Sequence, residues 1–182
     1  MTSSADDDGT LPCPELFEAW LGERSEDASR HFRDVLGRFA SGVTVVTGRH
    51  EGQPVGLTCQ SFASVSLDPP LVLFVLSRSS RAWPLIRESG AFCVNVLASD
   101  QAWVSNVMAS RGADKFADLA WRPAPGTGSP VLEGILGHVD CTLEAVHPGG
   151  DHDVVIGRVV DLRAGAPADP LLVYRGRYRT TG

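Results

Sequence analysis

A largely antiparallel β sheet or barrel with peripheral helices is the fold class this sequence predicts. The chain carries about seven short runs that are β-branched or alternately apolar. Most neighbouring runs are joined by connections too short for parallel crossovers. No strand-like run leads into the G-x-G-x-x-G that opens a dinucleotide-binding Rossmann unit.

At 182 residues, with 43% hydrophobic and 21% charged residues, one well-buried domain is expected. No apolar run approaches the ~20 residues that cross a membrane. The opening MTSSADDDGT lacks the basic and apolar regions of a secretory signal, so a cytoplasmic protein is expected. A net charge of −6 argues against a nucleic-acid surface but leaves room for a local anion site. Cys13, Cys59, Cys93 and Cys141 are scattered without a C-x-x-C pair, which points to reduced thiols and to no metal site.

Residues 1–24 are expected to be a flexible segment with a short helix over Glu15 to Leu21, and residues 25–182 the folded domain. From Ser25 the pattern turns helical, with Phe32, Val35, Leu36 and Phe39 on one face and Gly42 as the stop. VTVVTG and the run entering GLTCQ form an expected hairpin across the turn-rich Arg49 to Pro54. Asp68-Pro69-Pro70 makes a rigid corner before Leu71 to Leu76, the most apolar strand. A short helix over Arg81 to Glu88 is terminated by Gly90, and AFCVNVL is the next strand. Asp100 is expected to cap a helix running to about Ser110. Strands over Val131 to Val146 and Asp153 to Leu162 flank a HPGGD turn, and Leu171 to Tyr174 runs into RGRYR.

Four stretches could carry chemistry. Thr58, Ser61, Ser64 and Ser66 place hydroxyls beside a buried strand, as in a cleft that holds a flat, polar-edged ligand; the alternative is that they satisfy their own backbone. Ser77 to Arg81 combines hydroxyls, a helix start and a guanidinium, suited to an anion or to simple capping. HPGGDHD carries His147 and His152 across a Gly-rich turn, too weak a spacing for a metal, but open to close approach by a flat cofactor. The terminal YRGRYR offers Tyr174 and Tyr178 for stacking and Arg175, Arg177 and Arg179 for phosphates, or else a charged edge strand.

Together these stretches resemble the short-chain flavin reductases that serve two-component monooxygenases. The resemblance is carried, in order, by FRDVLGRFASGVTVVTG, GLTCQSFASVSLDPPLVLFVL, SSRAWPLI, FCVNVL, GDHDVVIGRVVDL and LLVYRGRYR. It implies a flavin-binding split β-barrel that works as a homodimer, taking hydride from NADH, or NADPH, to reduce FAD or FMN. Reduced flavin then passes to a separate oxygenase.

The resemblance implies that Arg38, Phe39, Ala40, Ser41 and Gly42, together with Thr58, Cys59, Gln60, Ser61, Phe62, Ala63 and Ser64, surround the flavin. It also implies that Ser79 and Arg81 serve its ribityl-phosphate region. Gly150, Asp151 and His152 match the family's Gly-Asp-His segment, where the nicotinamide is expected, with Tyr174, Arg177 and Tyr178 contributing from the last strand. His152 is the residue expected to position or protonate. Cys59 and Gln60 stand where relatives often carry Asn or another small polar residue. NADH is expected over NADPH, since no cluster for a ribose phosphate is evident, and FAD slightly over FMN. The competing readings are a flavin- or haem-binding barrel without turnover, and a flavoenzyme that keeps its flavin and acts on a small substrate.

Overall fold

The computed structural model describes residues 26–112 and 114–181. The N-terminal segment over residues 1–24, with its expected Glu15 to Leu21 helix, lies outside the described residues. The chain divides into two units, Met1–Phe39 and Ala40–Gly182.

In the first unit, helix α1 spans Glu26–Leu36. The expected apolar stripe of Phe32, Val35, Leu36 and Phe39 is present and exposed. The helix stops earlier than the sequence suggested. Arg38 N donates to Val35 O at 3.1 Å and Phe39 N to Leu36 O at 3.0 Å, a tightened last turn that ends the ladder. Gly42 is therefore not the stop. It lies in strand β1 (Ser41–Gly42) and pairs with Leu172.

The second unit is built on a seven-stranded sheet in the order β3-β2-β6-β9-β10-β5-β4. Its strands are β2 (Thr44–His50), β3 (Gln53–Cys59), β4 (Ala63–Leu67), β5 (Pro70–Ser77), β6 (Ala91–Val96), β9 (Gly137–Gly149) and β10 (His152–Ala164). Every pairing is antiparallel, as the short connections require. Helix α2 (Ala82–Ser89) precedes β6 and α3 (Ala102–Ala109) follows it. Two small sheets complete the unit: β7 (Trp121–Pro123) with β8 (Pro130–Leu132), and β1 with the hairpin β11 (Leu172–Tyr174) and β12 (Arg177–Arg179).

Alternation along β2 and β3 sends side chains into two separate cores. Val46, Leu57 and Cys59 join Val72, Phe74, Leu76, Phe92, Val94, Cys141 and Val155, with Trp83 and Ile86 of α2 as a plug. Phe74 stands edge-on to Phe92 at 5.0 Å and to Trp83 at 6.2 Å. Val43, Val45 and Cys93 instead face Val104 and Met108 of α3, Phe116, Val131 and Leu171. The described thiols Cys59, Cys93 and Cys141 are free and buried; burial, then Asp140, pushes Cys141 up to about 12.

Buried polar groups lock the second core to the sheet. Asn95 Nδ2 donates to Val45 O at 3.2 Å, and its Oδ1 accepts Leu132 N at 2.8 Å, so β8 hangs on a side chain. Asp140 accepts the Gly126 and Thr127 amides, each at 2.9 Å. These are satisfied groups whose desolvation is matched by partners.

Two expectations at element ends are corrected. Asp100 does not cap α3. Gln101 occupies the cap position, and its Oε1 accepts Ala98 N at 3.0 Å. The strand expected over Val131 to Val146 is two strands, because Gly134 turns the chain at φ 73°.

Gly157 of β10 is a close-approach position. A Cβ there would overlap Phe92 Cζ and lie 3.1 Å from Cys141 Cβ, with Phe92 itself only 1% exposed. Gly157→Ala should lower unfolding stability by about 1–3 kcal/mol through overpacking. Urea denaturation monitored by tryptophan fluorescence measures this directly, and an unchanged midpoint would refute it.

Candidate functional site

The sheet curls until its edge strand β3 meets the part of β5 that extends past its pairing with β4, and no ladder joins the two. Side chains bridge them instead, Cys59 at the end of β3 with its Sγ 3.7 Å from Val75 O, and Ser61 just beyond it. Ser61 Oγ donates to Val75 O at 2.7 Å and accepts Val75 N at 2.8 Å. Cys59 Sγ sits 3.2 Å from the same hydroxyl. A cleft of about 1210 Å³ opens along this seam.

The cleft brings together Thr58, Cys59, Gln60, Ser61, Ser79, Arg81 and His152, seven of the residues singled out in the sequence, although they come from three distant segments. Thr58 Oγ1 donates to Ser105 O at 2.6 Å, so its proton is committed and only acceptor lone pairs remain for a ligand. Ser77 and Ser79 hydroxyls are 2.8 Å apart, and Ser80 Oγ accepts Trp83 N at 3.3 Å at the start of α2. Arg81 is exposed on the rim, with no hydrogen bond or ion pair among the described residues.

His152 reaches the cleft because β10 begins beside the end of β5, where it is paired with Ser77. The turn before it uses Gly150 at φ 69°, a left-handed conformation that glycine takes at little cost. Asp151 Oδ1 lies 2.7 Å from His152 Nδ1. An ionised carboxylate can only accept, so Nδ1 carries the proton and Nε2 is the atom left to face a ligand.

Asp153 was not singled out in the sequence, yet it ties the two walls together. Its carboxylate accepts Arg78 Nε at 2.8 Å and Trp83 Nε1 at 3.0 Å, while Arg78 N donates to Asp151 O at 3.1 Å. The serine-rich loop, the plug helix and the His152 turn are thereby held as one piece. The Arg78 hydrogen bond, then that from Trp83, holds the Asp153 carboxyl below the usual aspartate range. Lys115 and Arg111 also line the cleft. Both belong to the connection between α3 and β7, far in sequence from the serine motifs.

The remaining candidates of the second unit do not line this cleft. Phe62 packs against the barrel core, and Ala63 and Ser64 lie in β4 opposite Leu73 and Val72. Arg38 and Phe39 end the first unit, where both are exposed. Ala40 precedes β1, and Ser41 and Gly42 form it, paired with Val173 and Leu172 of β11. Tyr174 and Arg177 face each other across the β11–β12 hairpin. Tyr178 donates its hydroxyl proton to Ser105 Oγ or Asn106 Oδ1, both at 2.9 Å, and so props α3.

The flavin reductase like domain matches residues 36–182. The chain belongs to this family. The resemblance read from the sequence is thus borne out, and with it a mostly antiparallel split β-barrel. This flavin reductase like chain is 53% identical over 149 residues to the reductase subunit HsaB of a flavin-dependent monooxygenase from Rhodococcus jostii, covering 82% of this chain and 76% of that protein. It is 42% identical to the FMN reductase (NADH) SmoA of Agrobacterium fabrum, covering 82% of this chain and 84% of SmoA. Among solved structures, nitrilotriacetate monooxygenase component B from Mycobacterium thermoresistibile superposes with a TM-score of 0.82 at 52% identity, covering 85% of this chain and 87% of that one.

Because the Asp153 carboxyl is held low in the folded protein, its contribution to stability is present above the unfolded value of about 3.9 and is lost as pH falls through the folded value. Asp153→Asn should therefore lower stability at neutral pH and flatten its fall below about pH 4. Urea midpoints taken across that range give the comparison; parallel curves for the two proteins would refute the role of Asp153.

Proposed function

We propose that this protein is an NAD(P)H-dependent flavin reductase that oxidises NADH, reduces FAD or FMN, and releases reduced flavin to a separate monooxygenase. The observation that carries this reading is the seam cleft, which gathers hydroxyls, a free guanidinium and a histidine along an apolar barrel edge. Relatives whose names describe monooxygenase reductase subunits and an NADH-dependent FMN reductase support it.

The donor set suits a flavin. Thr58, Cys59, Gln60 and Ser61 would line the ring edge, and Ser79 and Arg81 would meet the phosphate, where a guanidinium forms forked, charge-assisted hydrogen bonds. Bound flavin supplies the two-electron chemistry by accepting hydride from the nicotinamide. The protein's own task is to bind, orient and exclude water. With Nδ1 held by Asp151, His152 presents Nε2 to the cleft and can orient the nicotinamide or exchange a proton there. Gly150 leaves room for close approach, since no atom lies within 4 Å of where its Cβ would be.

The protein is further proposed to act as a cytoplasmic homodimer. No helix is long and apolar enough to cross a membrane among the described residues. Strands β4 and β10 leave Val65, Leu67, Val160 and Leu162 substantially exposed, which a second subunit would cover. Light scattering should return twice the mass of one chain; a monomer at micromolar concentration would refute the dimer.

Purified protein mixed with free FAD or FMN should oxidise many equivalents of NADH per chain, read at the nicotinamide absorbance. A single equivalent, or none, would overturn the reductase reading. His152→Ala should lower NADH oxidation by about 10-fold or more while leaving flavin affinity within about 2-fold. Unchanged turnover in that variant would remove His152 from the mechanism.

A further inference from the structure

The cleft does more than follow one face of β3. Leu57 and Cys59 point into the barrel core beside Trp83 and Ile86. Gly56 and Thr58 point the other way, towards α3: a Cβ on Gly56 would lie 3.0 Å from Met108 Sδ and 3.2 Å from Phe116 Cζ. Residues from both faces line the same cleft, which therefore wraps around the unladdered edge of β3. Arg81 and its serines stand on the barrel side, and Arg111 and Lys115 on the α3 side.

Lys115 is the single lysine of the chain. Its Nζ donates to Met108 O at 2.6 Å and Gly56 O at 3.2 Å, two neutral carbonyls. An ammonium has three protons, so one is left for a ligand. No carboxylate pairs with it among the described residues, and burial lowers its pKa with no acid to offset the loss of hydration. The adjacent Asp114 lines the cleft too, but its Oδ1 accepts the Phe116 amide at 3.1 Å. Arg111 is exposed in the cleft and makes no hydrogen bond or ion pair among the described residues. Two cations thus face one cleft wall without anionic partners, an arrangement that a phosphate would complete.

We propose that Arg111 and Lys115 form a second phosphate subsite, which takes the pyrophosphate of a dinucleotide whose reacting ring lies towards the barrel side of β3. The inference rests on the flavin reductase reading. FAD and NADH both carry a pyrophosphate and an adenosine, whereas FMN carries neither. The subsite would therefore act on dinucleotides and be indifferent to FMN.

Calorimetric titration with ADP, a pyrophosphate probe without a redox ring, tests this independently of turnover. The titrations are run on the wild type, Lys115→Met, Lys115→Arg and Arg111→Ser, with FMN as the control ligand. Loss of one charge-assisted contact should weaken ADP about 10-fold in Lys115→Met and Arg111→Ser, with Lys115→Arg restoring most of it and FMN affinity within about 2-fold throughout. Steady-state kinetics then separate the sources. A KM raised for FAD but not FMN assigns the subsite to the flavin, and a KM raised for NADH with FMN as acceptor assigns it to the nicotinamide cofactor. Wild type that binds no ADP, ADP affinity unchanged in the variants, or ADP and FMN weakened equally would each overturn the proposal. Should Lys115→Met fail to fold, the exposed Arg111→Ser decides alone. Wild type that turns over neither flavin, yet shows the ADP pattern, would instead remove the reductase reading and leave the subsite standing.

Discussion

The bridge from Ser61 to Val75 is the contact on which the rest of the site depends. A closed barrel would seal β3 to β5 with a continuous backbone ladder and leave no edge to address. Here one hydroxyl satisfies both the amide and the carbonyl of Val75, at 2.8 and 2.7 Å, and the remaining edge of β3 stays open to a ligand. Trp83 and Ile86 of α2 are buried in the barrel core beside Leu57, Cys59 and Phe74.

Around that seam the polar groups fall into two sets. One set is engaged within the protein: Asp153 with Arg78 and Trp83, the Thr58 proton with Ser105 O, Asp140 with the Gly126 and Thr127 amides. These contacts fix where the walls stand. The other set, the guanidinium groups of Arg81 and Arg111, faces the cleft without charged partners among the described residues. Preorganised donors with nothing to donate to inside the protein are what a negatively charged ligand needs. The committed set keeps the free set from collapsing onto its own chain.

The same division explains the terminal hairpin. Tyr178, which the sequence offers for stacking on a ring, holds α3 with its hydroxyl through Ser105 and Asn106. Ser105 is also the residue whose carbonyl takes the Thr58 proton. The last strand thus acts on the cleft through one intermediate helix, at a distance that no local motif could express.

Local patterning alone determined the antiparallel class, the β2–β3 hairpin, the α2 boundaries near Gly90 and the apolar β5 strand, because each follows from side-chain period and turn chemistry within a few residues. The serine-rich loop and His152 were legible for the same reason, as hydroxyls and a Gly-rich turn in short runs. What only the tertiary structure decided were relations between distant segments. Asp153 lies 75 residues from Arg78 and 70 from Trp83, and Lys115 lies 59 from Gly56. In sequence, Asp153 reads as an ordinary strand-start acid and Lys115 as a loop cation. The ladder between β10 and β5, and the packing of α3 on β3, bring these segments together, and only then do these charges acquire partners or lack them. Burial and pairing are properties of the folded neighbourhood, so the walls of the cleft were written in the chain but its shape was not.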